Sequence, residues 1–443
     1  MKKPLTARLK APASAESSAL PNDTNNTLPI KDMPQMRQKP LIWIIAGSLL
    51  LALIIIFVVS ISTPSTIDIP KLYFQGDIAN MTDKKDVRSI AVSYQDGKHS
   101  FEGFAQLKVQ GTSSLAYDKK NYTIKLFEDG EHLSPLQVDV GWGNQNTYCL
   151  KANWIDKTHA RNIVTANLVT QIQRKYKVLE GTPANGAIDG FPIELYINNE
   201  FLGLYTFNIP KDAWQFAMDS NNPNHLVVCG EEWDESVNFL KETSWNDYSW
   251  SLEVGEETEE SLARFNSLIR FVSTSDREIF RAECKEHLDL DALLNYYIVM
   301  DFAFLPDNRG KNMLLITYDG DIWYPSLYDL DTSWGSNWKG ESLYDYTAFP
   351  VPLSDNYLFA MLEQSFCKEL SDRYFELRKN ILTKKHIMKM FNDFENSIPE
   401  ETFLKEKEKW GENIPGFDTS QIETFLDVRI PLLDQKYRDM AAQ

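Results

Sequence analysis

The sequence predicts an α+β protein with a β-rich first lobe and a helical second lobe, preceded by one transmembrane helix. Three observations lead there. Residues 41–62, LIWIIAGSLLLALIIIFVVSIS, carry no charge over 22 positions. Residues 68–210 are rich in β-formers cut by Gly, Asp and Asn. From about Glu256 onward the pattern becomes helical, broken by one strand pair at 312–331.

The first 40 residues are rich in Pro, Asn, Ser, Ala and Lys, and read as a disordered tail. As a helix, residues 41–62 would run about 33 Å, against a hydrocarbon core of roughly 30 Å. A buried core helix would show a polar face, and a signal peptide would have a shorter apolar stretch behind a short basic start. Arg37 and Lys39 abut the segment, and residues 1–40 hold seven Lys/Arg against three acids. The positive-inside bias then places the N-terminus in the cytoplasm and the C-terminal domain outside. With the chain at −18 and the tail at +4, residues 41–443 carry −22, which excludes a nucleic-acid partner.

Residues 63–67 are a linker, 68–345 the core and 346–443 a helical extension. "VRSIAVSYQDGKHSFEGFAQLKVQG", "NYTIKLFEDG" and "YCLKANW" read as strands. Thr158 to Tyr176 has no Gly or Pro and reads as a helix. "GFPIELYINNEFLGLYTFNIP" reads as a hairpin turning at Asn198-Asn199. The four cysteines (Cys149, Cys229, Cys284, Cys367) lack metal-ligand spacing and read as isolated buried thiols.

The segment 301–335, DFAFLPDNRGKNMLLITYDGDIWYPSLYDLDTSWG, carries the chemistry. Asp307 is followed five positions later by Asn312, then a hairpin, then Asp329 and Asp331. Phosphoryl transfer needs a carboxylate to accept the nucleophile's proton and oxygen ligands to hold Mg²⁺. Asp-x-x-x-x-Asn, a strand pair and a metal-binding Asp is the order of those parts in protein kinases. Asp319 and Asp321 read as solvated turn residues, and Asp301 as a buried structural acid. Upstream, "QGTSSLAYDKKNYTIKL" places Ser113 and Ser114 in a turn between two strands. There, backbone N–H and hydroxyl groups either meet phosphate or simply close a hairpin. Lys151, on the strand before the helix, is placed like the kinase lysine that contacts phosphates. Arg161 and Asn162 open that helix and meet either phosphate or a structural partner.

The stretches "LKVQGTSSLAYDKKNYTIKL", "YCLKANWIDKTHARN", "IELYINNEFLGLYTFNIPKD" and "DNRGKNMLLITYDGDIWYPSLYDLDTSWG" resemble the CotH kinase family, the atypical, spore-coat-associated protein kinases. That resemblance implies a divergent protein-kinase-like two-lobe fold and phosphorylation of Ser on protein substrates with ATP and Mg²⁺ or Mn²⁺. It implies Asp307 as catalytic base, Asn312 and Asp329 as metal ligands with Asp331 as rival, and Lys151 as the nucleotide lysine. The sequence departs from typical kinases in two ways. Leu305 and Pro306 stand where His-Arg precedes the base, and the helix 158–176 has no acid to pair with the lysine, so that the acid would come from elsewhere, such as Glu180 or Glu194. The alternatives are an inactive scaffold binding envelope protein or glycan, and a glycan hydrolase using paired carboxylates.

Overall fold

The computed structural model describes residues 68–443, apart from 178–179, 181–185, 241–243, 344, 348–354, 412–418 and 443. The expected tail, membrane helix (41–62) and linker lie outside the described residues. Among those described, no helix is long and apolar enough to cross a membrane.

Two-residue alternation builds the first lobe. Strands β1 (Lys71–Gln75), β2 (Val87–Gln95), β3 (Ser100–Gln110), β4 (Asn121–Phe127) and β5 (Thr147–Lys151) precede helix α1 (Arg161–Lys175), and β6 (Gly190–Ile197) and β7 (Glu200–Asn208) follow it. They close into a barrel in the order β1-β2-β3-β4-β5-β7-β6. The seam is a parallel pairing of β1 with β6, from Lys71 opposite Glu194 to Phe74 opposite Ile197. Leu72, Phe74, Ile90, Val92, Leu107, Ile124, Leu150, Ile193 and Phe207 fill the barrel as a core of its own. The β6–β7 hairpin turns where expected. Asn198 and Asn199 have φ of 49° and 67°, the pair of left-handed residues that a type I′ turn requires.

Helix α1 starts three residues later than the sequence suggested. His159 is left-handed at φ 55°, and the Asp156 carboxylate accepts from the Arg161 backbone N–H at 2.8 Å, doing from upstream what a capping side chain does.

The second lobe contains strands β8 (Leu226–Gly230) and β9 (Trp250–Val254), helices α2 (Glu259–Thr274), α3 (Arg277–His287) and α4 (Leu290–Ala303), then strands β10 (Met313–Thr317) and β11 (Trp323–Leu327). Helices α5 (Tyr357–Arg378), α6 (Lys384–Glu395), α7 (Glu400–Trp410) and α8 (Ser420–Ala441) complete it. The strands form one sheet in the order β11-β10-β8-β9. The 312–331 hairpin was expected, and its loop carries Asp319 and Gly320. Ile163 and Ile172 of α1, Leu294 and Ile298 of α4, Phe359 and Leu370 of α5, and Leu426 and Tyr437 of α8 share a second core. The C-terminal helices are therefore packed into the same interior as α1 and α4. Asp301 is the structural acid expected of it, bonded to Arg429 at 2.8 Å and Lys436 at 2.9 Å. All four cysteines are free, with Cys149, Cys229 and Cys284 buried.

Candidate active site

The β3–β4 connection forms one wall of a cavity of about 370 Å³. Gly111 (φ 101°) lets the chain leave β3 left-handed, and a Cβ there would lie 1.8 Å from Ser114 Oγ, so only glycine fits. Gly111, Thr112, Ser114 and Tyr117 line the cavity. Ser114 Oγ is turned back to the Gln110 carbonyl at 3.2 Å. Ser113 belongs to the same 3₁₀ turn, and its side chain lies outside the described residues.

Lys151 enters from the end of β5. Its ammonium lies 3.8 Å from Asp329 and 5.7 Å from the centre of the Tyr328 ring. Burial opposes its charge, but Tyr328, Asp329 and Asp331 more than offset this, so its pKa lies above the usual lysine value. The acid partner anticipated at Glu180 or Glu194 is not there. Glu180 pairs with Lys177 at 3.3 Å, and Glu194 is taken by Thr402 at 2.7 Å and Lys405 at 3.1 Å.

A second lysine, which sequence reasoning missed, faces the same ring. Lys211, just beyond β7, lies 4.7 Å from the Tyr328 centre and lines the cavity. Glu253 holds it at 2.7 Å, with Glu231 at 3.8 Å and the Cys229 sulfur at 3.6 Å. Among the described residues, Cys229, Glu231 and Glu253 are the one group of three such ligands within 4.8 Å of one another. The Lys211 ammonium already neutralises that group, so it is a lysine cradle. The signal for Lys211 was "NIPKD" at a strand end, which alone does not distinguish it from a solvated lysine.

Asp307, Asn312, Asp329 and Asp331 line the same cavity. The turn 307–310 passes so close to β8 that a Cβ on Gly230 would stand 2.2 Å from the Gly310 carbonyl oxygen. Asn312 N–H donates to the Gly230 carbonyl at 2.8 Å, fixing where the turn meets the sheet. Fully buried Asn308 donates to the Tyr328 carbonyl at 2.7 Å and the Asn312 carbonyl at 3.3 Å. It thus ties the Asp307 turn to both later segments. Asn312 and Asp329 are both left-handed, at φ 62° and 57°. Asn162, at the start of α1, accepts the Leu330 N–H at 3.1 Å and so places the Asp329–Asp331 segment. Burial, then Asp329, raise the Asp307 carboxyl above the usual range, against the pull of Lys311 and Arg309. Burial and Asp329 likewise raise Asp331. Carboxylates that oppose one another's ionisation beside an amide oxygen are a hard-oxygen donor set, the set that suits Mg²⁺ or Mn²⁺.

Arg161 is not brought to the cavity. Its guanidinium is buried against Asp156, donates to the Ser333 carbonyl at 3.1 Å and reaches Gln421 at 2.5 Å. It locks the start of α1 to the loop after Asp331 and to α8. Its neighbour Asn162 does line the cavity. Asp319 behaves as a turn residue, accepting the N–H groups of Asp321 and Ile322 at 2.9 Å each.

No curated protein matches the chain. The sequence does match the family described as CotH kinase protein over residues 107–427. That span begins inside β3, takes in every residue of the cavity from Gln110 onward, and runs through α7 into α8, well past the stretches that carried the resemblance. The chain belongs to the CotH kinase protein family.

Proposed function

We propose that the domain transfers the γ-phosphate of ATP to serine or threonine hydroxyls of a Ser-rich protein. The observation that carries this reading is the meeting of Lys151, Asp307, Asn312, Asp329 and Asp331, from three separate stretches of chain, on one cavity. Asp307 accepts the hydroxyl proton on a carboxylate oxygen, and its raised pKa makes it a stronger base than an exposed aspartate. Asn312, Asp329 and Asp331 would hold Mg²⁺ or Mn²⁺, which when bound neutralises phosphate charge and orients the triphosphate. Lys151 and Lys211 both approach the Tyr328 ring, bringing cations to a cavity that Asp307, Asp329 and Asp331 also line. The β3–β4 turn, with Ser114 and its backbone N–H groups, covers the phosphates.

The anchor belongs to the same proposal. Residues 41–62 hold the domain to a membrane, with the N-terminus cytoplasmic and the catalytic domain outside. Reactivity of an introduced Ser65→Cys thiol toward an impermeant reagent on intact cells tests that orientation. A thiol shielded at that position would put the domain with the cytoplasmic ATP pool and overturn it.

The enzymatic test is phosphate transfer from labelled ATP to a Ser-rich protein with Mg²⁺ or Mn²⁺. Asp307→Ala should abolish transfer while leaving the melting temperature within a few degrees of wild type. Transfer by Asp307→Ala at the wild-type rate would remove Asp307 as the base. Absence of Mg·ATP binding by the wild-type chain in calorimetry would favour the scaffold reading.

A further inference from the structure

The helix after Lys151 contains no acid, yet Lys119, which lines the cavity, is one half of a buried lysine–glutamate pair. Lys119, in the β3–β4 connection, donates to Glu406 of α7 at 2.5 Å, across 287 residues of sequence. Both are 1% exposed. The other two N–H groups of Lys119 go to the carbonyls of Leu204 at 2.5 Å and Ala152 at 3.1 Å. An ammonium has three N–H donors, so Lys119 has none left for a phosphate. What it holds is the backbone one residue beyond Lys151. The second Glu406 oxygen accepts the Leu204 N–H at 2.7 Å, so one carboxylate braces β7 as well as the lysine.

The same helix touches this segment again. Trp410 meets Trp154 edge to face at 5.8 Å, and Trp154 lines the cavity. Trp410 Nε1 donates to the Leu202 carbonyl at 2.9 Å. Thr402 and Lys405 bond Glu194 on β6. Helix α7 is thus fastened along the barrel wall that carries residues 152–154. A buried ion pair adds little net stability over well-packed apolar side chains, but removing one partner strands the other charge. Such a pair is better suited to fixing a position than to strengthening the fold.

We propose that Glu406 is the positioning acid of the nucleotide site. From α7 it locks Lys119, and through Lys119 the backbone at Ala152, so that Lys151 is presented to the cavity. It does for Lys151, from the far end of the chain and through an intermediary, what a helix-borne glutamate does directly for the lysine of other kinases. The proposal rests on the ATP reading given above.

The test uses the full-length chain, with Glu406→Gln and the paired replacement Lys119→Met/Glu406→Leu, which substitutes apolar side chains for both charges. The readouts are Kd for Mg·ATP, KM for ATP, kcat and melting temperature. Each folded variant should raise Kd and KM for ATP about tenfold, with kcat changed less than about threefold. Glu406→Asp should recover part of the affinity. A folded variant with wild-type Kd and KM would overturn the proposal, whatever its melting temperature. Failure of both variants to fold would assign the pair to stability alone and overturn it too. If the wild-type chain binds no Mg·ATP, the ATP reading fails and this one with it. If wild type and variants bind equally, only the positioning role fails.

Discussion

Asn308 is not among the residues that line the cavity, yet it ties together three segments that do. Its amide is the direct link between the Asp307 turn, the Asn312 carbonyl and the Tyr328 carbonyl. Asn308→Ala should lower kcat/KM by about 100-fold through misplacement, and lower stability by about 2 kcal/mol through two stranded carbonyls. Steady-state kinetics and urea unfolding of the same preparation measure the two effects. A large stability loss with unchanged kinetics would show that the turn is held by other contacts. Asp307 itself gives a pH prediction. As the proposed base it would have to be ionised, and its raised pKa then puts the acid limb of kcat/KM above the pH where an ordinary aspartate titrates, about 3.9. Lys311 lowers that pKa, so Lys311→Met should move the limb to higher pH, because a carboxylate without its cation is protonated more easily. A limb that stays put or moves to lower pH would show that another group controls it.

Elements read well where their pattern was local. Strands β2 to β5 and the β6–β7 hairpin declare themselves by alternation and turn chemistry, and the 312–331 hairpin by its Asp-Gly loop. Strand β8 does not, because "LVVCG" is buried at every position and has no polar face to alternate with. Helix α4 falls in the stretch read as helical from about Glu256 onward, although Ala292 to Ala303 are buried all round and leave no polar face to mark the period. For the site, Asp307, Asn312, Asp329, Asp331 and Lys151 were legible because kinase chemistry orders such parts along the chain. Lys211 and Tyr328 become site residues only when the two sheets meet, and nothing local announces that. Of the two readings open for Arg161, phosphate or a structural partner, the structure gives the second. Its guanidinium is paired with the carboxylate of Asp156, five residues upstream in the same loop. The meeting of β8 with the 307–310 turn yields an element-scale prediction. Gly230→Ala places a methyl group 2.2 Å from the Gly310 carbonyl oxygen, so strand or turn must move. The cost should be about 1–3 kcal/mol by thermal unfolding, with activity falling in parallel. Wild-type activity in Gly230→Ala would mean that the turn yields without disturbing Asp307.

At the scale of the whole molecule, the barrel has a core of its own, the C-terminal helices α5, α6 and α8 share theirs with α1 and α4, and helix α7 is tied to the barrel through Glu406 and Trp410. The family match begins at residue 107, inside β3. A chain cut to 107–427 would lose β1 and β2, and with them Leu72, Phe74, Ile90 and Val92 from the barrel interior. It would also expose the unpaired edge of β6. Such a truncation should be insoluble or lack a cooperative unfolding transition, whereas residues 66–443 should unfold cooperatively. Calorimetry on both decides, and cooperative melting of 107–427 would show that the seam is dispensable.

Strand β1 is also the first element after the uncharged segment 41–62, and it is gripped on both sides. It runs antiparallel to β2 from Lys71 opposite Gln95, and parallel to β6 from Lys71 opposite Glu194. A pull directed along this strand would load both ladders in shear at once. Unzipping a single ladder bond by bond is not available to it. Tension along that strand is therefore shared between two ladders before it reaches Lys84, the cavity-lining residue in the β1–β2 connection.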